Sequence, residues 1–247
     1  MLNLFSLEGR KALVTGANTG IGQAIAEAMA ASGAHVVCAG RRACDETVAS
    51  IEKAGGTAES LLIDFADPLA ARDIFKDAGF DLLVNNAGII RREDAVNFSE
   101  QDWDDVIDTN LKALFFTCQA FGRELIAKGK PGAIVNIASL LSFQGGIRVP
   151  SYTASKHGVA GVTKGLANEW AKFGITVNAI APGYIVTNNT EALRNDPERS
   201  KAILDRIPAG RWGEAEDIAG TAVYLCSRAA KYVTGAVLNV DGGWLAR

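Results

Sequence analysis

The sequence contains few of the residues from which metal sites and disulfides are made. Its 247 residues include two histidines and four cysteines, and the cysteines show neither CxxC nor any other metal-ligand spacing. Dispersed thiols of this kind are typical of buried side chains in a reducing compartment. The sequence therefore predicts neither a metal centre nor a disulfide framework.

Long apolar runs and a surplus of positive charge are also missing. No apolar stretch approaches the roughly 20 residues that span a bilayer, and residues 1–6 lack the charged leader and apolar core of a secretion signal. A formal net charge of −3 provides no broad basic surface for nucleic acid. We therefore expect a cytoplasmic protein that binds neither membranes nor nucleic acids.

Hydrophobic residues are plentiful, at 48% of the chain, and their pattern indicates one class of fold. Short β-branched runs alternate with longer amphipathic stretches, as in βαβ units around a parallel sheet. The predicted strands are 11–15, 35–39, 58–63, 81–85, 132–138, 175–180 and 236–240, and the predicted helices are 21–32, 44–54, a short one after Pro68, 100–127, 152–173 and 214–227. Between 182 and about 208 the pattern breaks into polar and turn residues, and a loop of that length is usually functional, for example as an active-site lid. Because no linker or repeat interrupts the alternation, residues 1–247 are predicted to form a single doubly wound α/β domain of the Rossmann type.

A glycine-rich turn joins the first predicted strand to the first predicted helix. In residues 15–22, Thr-Gly-Ala-Asn-Thr-Gly-Ile-Gly, Gly16 permits a tight turn, Gly20 lets the backbone approach a pyrophosphate, and Gly22 permits close packing of the helix on the strand. The N-terminus of the helix offers free N–H groups and the positive end of a dipole to phosphates. The turn therefore predicts a dinucleotide site, and the alternative at this point is a tight turn without a ligand.

The end of the second strand indicates which dinucleotide would bind. An acidic side chain there binds the adenosine ribose hydroxyls, whereas an arginine accommodates a 2′-phosphate. This chain has Gly40 followed by Arg41 and Arg42, with no carboxylate, and the fork of donors on a guanidinium matches phosphate oxygens. NADP(H) is therefore favoured, while NAD(H) and a solvated arginine pair stay open as alternatives. Asp64, after the third strand, either accepts a hydrogen bond from the adenine amino group or caps a turn.

A tyrosine and a lysine at helical spacing predict the chemistry. Tyr152 and Lys156 stand four residues apart near the start of a predicted helix, so their side chains share one face. A free tyrosine has a pKa near 10, and an ammonium within roughly 4–6 Å is expected to lower it by about 1–3 units, towards the range of a general base. Ser139, thirteen residues before the tyrosine, can hydrogen-bond a substrate oxygen as its charge changes. Asn110, on the long helix, can join a water chain that resupplies the proton.

Together these residues resemble the short-chain dehydrogenase/reductase family, over essentially the whole chain. The motifs match in order and spacing: the glycine turn, Asn85-Asn86-Ala87-Gly88, Asn110, Ser139, Tyr152-x3-Lys156 and Pro182-Gly183. The resemblance implies a seven-stranded parallel sheet of order 3-2-1-4-5-6-7. It also implies that Asn110, Ser139, Tyr152 and Lys156 are catalytic and that hydride passes between a secondary alcohol and a nicotinamide, with Tyr152 as the acid/base.

The same resemblance assigns the contacts with the cofactor and between subunits. The residues expected at the cofactor are Gly16, Asn18, Thr19, Gly20, Ile21, Gly22, Arg41, Arg42, Asp64, Phe65, Asn86, Ala87, Gly88, Tyr152, Lys156, Pro182, Gly183, Ile185 and Thr187. Lys156 is expected to hold the nicotinamide ribose, and Ile185 and Thr187 the carboxamide. The family further implies that helices 100–127 and 152–173 pair across a dimer, that the protein is a homotetramer and that Trp244 lies at a subunit contact.

Within the family, the loops resemble those of the branch that oxidises hydroxyls of deoxy sugar acids. The likeness is carried by residues 89–95, 141–150, 182–184 with 187–190, 207–213 and 241–247. One of Arg91, Arg92 and Arg148 could bind a carboxylate bidentately, and amide side chains could hydrogen-bond sugar hydroxyls. The predicted substrate contacts are Arg91, Gln144, Arg148, Asn188 and Asn189, with a solvated rim charge as the alternative for each arginine. Members of this branch commonly use NAD(H), which keeps that cofactor open.

Two rival functions share part of the pattern. A 3-oxoacyl carrier-protein reductase would have the same catalytic residues, but it would need a basic docking patch and an apolar acyl channel, which the Arg-, Asn- and Gln-rich loops do not favour. A regulatory protein that senses dinucleotides would keep the glycine turn without needing Ser139, Tyr152 and Lys156 together. An NAD(P)-dependent dehydrogenase of a small sugar acid is therefore the predicted function.

Overall fold

Seven parallel strands form one sheet at the centre of the molecule. The computed structural model describes residues 4–246, so residues 1–3 of the N-terminal segment and Arg247 of the C-terminal motif lie outside the description. The strands are β1 (Lys11–Thr15), β2 (His35–Gly40), β3 (Thr57–Leu62), β4 (Leu82–Asn85), β5 (Gly132–Ile137), β6 (Ile175–Pro182) and β7 (Val237–Val240). Their order is β3-β2-β1-β4-β5-β6-β7, and all neighbouring pairs are parallel. The expected doubly wound sheet and its strand order are confirmed.

Helices cover both faces of the sheet, which is why its central strands are apolar on both sides. They are α1 (Gly20–Ala31), α2 (Asp45–Lys53), α3 (Glu100–Ile107), α4 (Ala113–Lys128), α5 (Pro150–Trp170), α6 (Glu191–Arg194), α7 (Pro197–Leu204) and α8 (Ala215–Cys226). In β1, Ala12 and Val14 belong to the core with α1 and α8, and Leu13 to the core with α4 and α5, because successive side chains of a strand point to opposite faces. No helix among residues 4–246 is long and apolar enough to cross a membrane.

The predicted helix 100–127 contains a π-helical segment. Residues Asp108–Lys112 form a π-helix between α3 and α4, and the chain stays helical from end to end. Single π turns inside α-helices are frequent at functional sites. This one carries Asn110, whose side chain is buried.

The short helix predicted after Pro68 is wrong. From Pro68 to Asp77 the chain forms overlapping turns, closed by bonds between residues three apart, such as Ala70 N to Asp67 O at 3.1 Å. The Asp67 carboxylate also accepts a hydrogen bond from Leu69 N at 2.9 Å. An aspartate that bonds its own backbone two residues on favours a turn over a continuous helix.

The loop predicted between 182 and 208 is more regular than expected. It contains a 3-10 turn at Asn188–Thr190 followed by α6 and α7, and we call residues 184–207 the lid segment. The Asp196 side chain caps α7 by accepting hydrogen bonds from Glu198 N and Arg199 N, with Pro197 in the first helical turn. This Asp-Pro pair is the helix-start signal that could have predicted α7 from the sequence.

Phe75 anchors the turns between β3 and β4 to the core. Its side chain is 1% exposed and packs edge-to-face on Phe80 and Phe121. Replacing Phe75 by alanine should therefore lower the free energy of unfolding by about 3–5 kcal/mol. Leu69, in the same turns but 45% exposed, provides the matched control: Leu69→Ala should change it by less than about 0.5 kcal/mol. Urea unfolding followed by circular dichroism measures both, and equal effects would contradict the anchor.

Candidate active site

The residues predicted to act together meet at the carboxyl ends of the strands. The glycine turn follows β1, Asn86 follows β4, Ser139 lies just beyond β5, and the lid segment follows β6. β1 and β4 are neighbours at the point where the strand order reverses, and sheets of this kind bind ligands in the crevice at that switch point. The fold thus opens a crevice where the sequence predicts the dinucleotide.

The glycine turn has the backbone conformation that its sequence predicts. Gly16 (φ 65°) and Gly20 (φ 58°) lie in the left-handed region that favours glycine. A Cβ on Gly22 would collide with the carbonyl oxygen of Gly16 and with the side-chain amide of Asn86. Gly22 therefore permits close packing behind the turn, while α1 begins at Gly20 with its first N–H groups beside the crevice.

Thr15 and Asn86 join the two strands that border the crevice. Thr15 Oγ1 accepts hydrogen bonds from the N–H groups of Asn86 and Ala87, both at 2.9 Å. The side-chain amide of Asn86 donates to the carbonyl oxygens of Thr15 at 3.0 Å and Gly16 at 3.1 Å. These bonds fix the glycine turn against the end of β4.

A cleft of about 670 Å³ extends from the glycine turn to the lid segment. Of the predicted cofactor residues it is lined by Gly16, Asn18, Thr19, Gly20, Ile21, Arg41, Arg42, Asp64, Phe65, Asn86, Ala87, Gly88 and Thr187, and of the predicted substrate residues by Arg91, Asn188 and Asn189. Gly183 and Ile185 line a separate cavity of about 180 Å³ instead. Thr187 reaches over the glycine turn, since its Cγ2 lies 3.4 Å from the position of a Cβ on Gly20. The cleft has the volume expected of a small-molecule or cofactor site.

The end of the cleft near β2 carries two exposed arginines. Because Gly40 has no side chain, the space beside Asn18 stays open. A Cβ on Gly40 would lie 3.4 Å from Asn18 Oδ1. Within residues 4–246, neither Arg41 nor Arg42 has a carboxylate closer than 4.0 Å. Both guanidinium groups are thus available to a phosphate, and the residues present fit the 2′-phosphate of NADP(H).

Asp64 shows one of its two predicted roles. Its Oδ1 accepts a hydrogen bond from Ala66 N at 3.0 Å, which caps the turn after β3. The residue also lines the cleft, and its contact with the adenine amino group stays a prediction.

Three of the predicted catalytic side chains converge at α5. Lys156 Nζ donates to the carbonyl oxygen of Ile137 at 2.6 Å and lies 5.5 Å from the centre of the Tyr152 ring. Because α5 begins at Pro150, the tyrosine and the lysine occupy its first two turns on one face. Ser139, at the end of β5, acts on the Tyr152 phenol and favours its ionised form by lowering its pKa. The tyrosine, the lysine and the serine are therefore brought together as the sequence predicts.

Burial determines the protonation of this group. It lowers the pKa of the Lys156 ammonium to about 8. It also raises the pKa of the Tyr152 phenol, while Ser139 and the positive charge of Arg92 act in the opposite direction. The expected lowering of the tyrosine pKa by Lys156 is therefore wrong for this structure, since desolvation outweighs the nearby charges.

The Asn110 side chain holds the π-helical segment against the loop after β4. Its Oδ1 accepts a hydrogen bond from Ile89 N at 2.8 Å, and its Nδ2 donates to Ile89 O at 2.9 Å and to Ser155 Oγ at 3.3 Å. Because both polar atoms are engaged, Asn110 positions α5 through Ser155. Its part in a water chain stays a prediction.

The predicted substrate arginines are paired with carboxylates. The pairs are Arg91 with Asp102 (3.1 Å) and Asp105 (3.1 Å), and Arg148 with Asp94 (3.0 Å) and Glu93 (3.5 Å). All of these side chains are partly exposed, so the pairs contribute little to stability. Each arginine braces a loop at the rim, and a contact of either with the substrate stays a prediction.

Arg92 contacts the lid segment, whereas its neighbour Arg91 pairs with carboxylates. Its Nη2 donates to the carbonyl oxygen of Asn189 in the lid segment at 2.8 Å. In the described part of the chain no carboxylate lies within 4.0 Å of it. The acidic face of α3 is the signal that distinguishes the two arginines, because it neutralises Arg91 alone.

Aromatic residues attach the lid segment to the C-terminal part of the chain. The ring centre of Tyr184 lies 5.5 Å from that of Trp212 and 4.7 Å from that of Trp244. The Arg206 guanidinium lies 4.0 Å from the Trp244 ring, and Gln144 Oε1 accepts a hydrogen bond from Trp244 Nε1 at 3.4 Å. Trp244 is 4% exposed within its own chain, and its contact with another subunit stays a prediction.

Comparison with known proteins places this site in a wider group. A family model described as enoyl-(acyl carrier protein) reductase matches residues 16–245. A 2-dehydro-3-deoxy-D-gluconate 5-dehydrogenase of Dickeya dadantii is 53% identical, and the match covers 100% of both chains.

Two solved structures share the fold. An Agrobacterium tumefaciens protein proposed to be a 2-deoxy-D-gluconate 3-dehydrogenase, with bound NADP, is 77% identical, with a TM-score of 0.98 over 99% of this chain and 100% of that chain. A gluconate 5-dehydrogenase from Burkholderia cenocepacia, in complex with NADP and tartrate, is 37% identical, with a TM-score of 0.93 over 100% of this chain and 99% of that chain.

The dinucleotide crevice, together with Tyr152 and Lys156 on one face of α5, defines the class of protein, an NAD(P)-dependent oxidoreductase that acts on CH–OH groups. Since a family model covers residues 16–245 and a full-length relative is 53% identical, this chain belongs to the short-chain dehydrogenase/reductase family. The resemblance on which the sequence analysis relied is thereby confirmed.

The arginine pair after β2 generates a test of cofactor choice. Changing Arg41 and Arg42 together to alanine should weaken NADPH binding roughly 10- to more than 100-fold, because a hydrogen bond to a charged group contributes roughly 1.5–3 kcal/mol. NADH binding should change less than about threefold, since NADH lacks the 2′-phosphate. Fluorescence titration with both cofactors measures the effect. Equal losses for NADPH and NADH, or a parent enzyme that prefers NADH, would contradict the assignment.

Proposed function

We propose that this chain is an NADP(H)-dependent dehydrogenase that interconverts a secondary hydroxyl and a ketone on a deoxy sugar acid of the gluconate type. The observation that carries the proposal is that Lys156, held by the Ile137 carbonyl oxygen, lies beside Tyr152 and near Ser139, at the sheet edge that also carries the cleft. The relatives named above for 2-deoxy-D-gluconate and 2-dehydro-3-deoxy-D-gluconate chemistry support this substrate class.

Each residue of the site has a part in the reaction. Tyr152 removes the proton from the substrate hydroxyl, or returns it to the ketone in the reverse direction. Ser139 donates a hydrogen bond to the substrate oxygen and so stabilises the charge that develops there. Lys156, held by the Ile137 carbonyl oxygen, would hold the nicotinamide ribose. Asn110 keeps α5 in place through Ser155.

The residues proposed to bind the cofactor fall into two groups, one for each half of the dinucleotide. The glycine turn and the N-terminus of α1 hold the pyrophosphate, Arg41 and Arg42 the 2′-phosphate, and Asp64 and Phe65 the adenine. Asn86 to Gly88, Pro182, Gly183, Ile185 and Thr187 hold the nicotinamide half, with Tyr152 and Lys156 at its ribose. When bound there, NADP(H) supplies the acceptor or donor of the hydride.

An acidic substrate is supported by the relatives and by the charges of the site. The Burkholderia cenocepacia relative is described in complex with tartrate, a dicarboxylate with neighbouring hydroxyls. In this chain Arg91, Asn188 and Asn189 line the cleft, and Arg148 and Gln144 are proposed as further substrate contacts. Arg92, which donates to the Asn189 carbonyl oxygen, adds another guanidinium. A carboxylate at one end of the substrate and hydroxyls along it would match these donors.

We also propose a cytoplasmic homotetramer. The four cysteines are buried and free, which suits a reducing compartment. Gly161 and Gly165 lie on α5 with open space where a Cβ would point, so a helix of another copy could approach closely. Sedimentation velocity distinguishes a tetramer from a dimer or a monomer.

Replacing Tyr152 by phenylalanine should lower kcat by roughly 10²- to 10⁴-fold, because the variant lacks the hydroxyl that transfers the proton. NADPH affinity should stay close to the parent value, since only one oxygen is removed. Tyr232, which is 99% exposed, provides the matched control, and Tyr232→Phe should leave kcat unchanged. Turnover of Tyr152→Phe within tenfold of the parent would refute the catalytic assignment.

A substrate panel tests the proposed function directly. Gluconate-type deoxy sugar acids, neutral polyols and 3-oxoacyl thioesters are assayed with NADP(H) and with NAD(H). The sugar acids should give the highest kcat/KM, with NADP(H) as the better cofactor. Preferred turnover of a thioester would favour a carrier-protein reductase and overturn the proposal.

A further inference from the structure

We propose that Thr47, on α2, is a positioning residue for the preference between NADP(H) and NAD(H), because it holds the arginine pair after β2 at a fixed place relative to the glycine turn. The inference rests on the proposed function and specifies how the sites for the 2′-phosphate and the pyrophosphate are kept aligned. Thr47 itself does not line the cleft, whereas Arg41 and Arg42 do. It would therefore act on the cofactor through the two arginines.

The hydrogen bond of Thr47 differs from the one that a threonine in a helix usually makes. Its Oγ1 donates to the carbonyl oxygen of Ala17, in the glycine turn, at 2.8 Å. Helical threonines commonly bond the carbonyl oxygen four residues back, as Thr117 does with Ala113 at 2.7 Å. Thr47 instead reaches a residue 30 positions earlier in the chain. Its hydroxyl thus joins α2 to the turn between β1 and α1.

The bond between Thr47 and Ala17 is shielded from water. Both residues are 0% exposed, and the buried side chains of α2 are Thr47 and Ile51. A valine has nearly the shape of a threonine and would fill the same space, but it would leave the Ala17 carbonyl oxygen without this donor. Because a buried acceptor that loses its partner is costly, the backbone around it is expected to shift until the oxygen finds another donor.

The two hydrogen bonds of the Ala17 backbone close a ring around the arginine pair. The N–H group of Ala17 donates to the carbonyl oxygen of Ala39 on β2 at 3.2 Å, and its carbonyl oxygen accepts from Thr47 on α2. The chain between β2 and α2 is residues 41–44, which include both arginines. The bond to β2 therefore fixes one end of this segment to the glycine turn, and the bond to Thr47 fixes the other end.

The ring connects the two places where the proposed cofactor carries phosphate. Gly16 and Asn18, on either side of Ala17, line the cleft, and so do Arg41 and Arg42. NADPH would contact the turn and the arginines at once, so its affinity depends on how well the distance between them is maintained before it binds. NADH lacks the 2′-phosphate and needs the turn alone. Loss of the Thr47 bond should therefore affect NADPH more than NADH.

The first test measures the binding of both cofactors to Thr47→Val by fluorescence titration. NADPH affinity should fall roughly five- to 30-fold, a part of the loss expected when the arginines themselves are removed, and NADH affinity less than about twofold. Nearly unchanged NADH affinity also verifies that the variant is folded. Thr47→Ser keeps the hydroxyl and should bind NADPH within about threefold of the parent. Thr47→Ala also removes the hydroxyl and takes the place of Thr47→Val where that variant does not fold.

Thr117→Val provides the matched control, because it removes the hydroxyl of another buried helical threonine. Thr117 is 1% exposed, and its bond stays within α4. Its loss should change the affinity for either cofactor less than about twofold, since α4 does not contact the arginine pair. An equal loss of NADPH affinity in Thr117→Val and Thr47→Val would show a general effect on stability and would overturn the inference.

A double-mutant cycle tests whether Thr47 acts through the arginines. In the variant that lacks both Arg41 and Arg42, Thr47→Val should weaken NADPH binding less than about twofold further, because the groups that it positions are gone. A further loss as large as in the parent, equal losses of NADPH and NADH, or NADPH affinity of Thr47→Val within about twofold of the parent would overturn the role of Thr47. If removal of the arginines weakens NADPH and NADH equally, the NADP(H) assignment itself is refuted, and the inference with it.

Discussion

The hydrogen bonds between Thr15 and Asn86 are the contacts on which the rest of the site depends. They join β1 to β4 where the order of the strands reverses, so they determine where the crevice opens. A few residues further on, Ile89 holds Asn110, and Asn110 contacts Ser155 on the helix that carries the catalytic tyrosine and lysine. Short polar bonds therefore connect the phosphate end of the site to its catalytic end.

Burial opposes the charged forms of both Tyr152 and Lys156, and other residues of the site act in the opposite direction on Tyr152. Desolvation favours the neutral forms of both groups, since it raises the pKa of Tyr152 and lowers that of Lys156 to about 8. Proton transfer requires a phenolate to be reachable. Ser139 and the charge of Arg92 both favour the phenolate.

The features that the sequence predicts correctly are those that the spacing of neighbouring residues determines. The glycine turn, the tyrosine and lysine four residues apart and the alternation of strands and helices are local patterns, and the structure contains them. The sequence does not show which of Arg91, Arg92 and Arg148 lacks a carboxylate partner, because this depends on which acidic residues the fold brings next to each arginine. The turns after Pro68 were missed because buried residues at helical spacing do not require a continuous helix when aspartate bonds its own backbone.

The distribution of charge explains how one end of the cleft is suited to an anionic ligand. Acidic residues outnumber lysine and arginine by 28 to 25, so an arginine without a carboxylate partner does not result from a shortage of acids. The rim arginines Arg91 and Arg148 are neutralised by α3 and by the loop after β4. In the part of the chain that the structure describes, Arg41 and Arg42 beside β2 are among the guanidiniums that have no carboxylate partner. Since a charged ligand is held most strongly where opposite charge is uncompensated, this end of the cleft is the one suited to a phosphate.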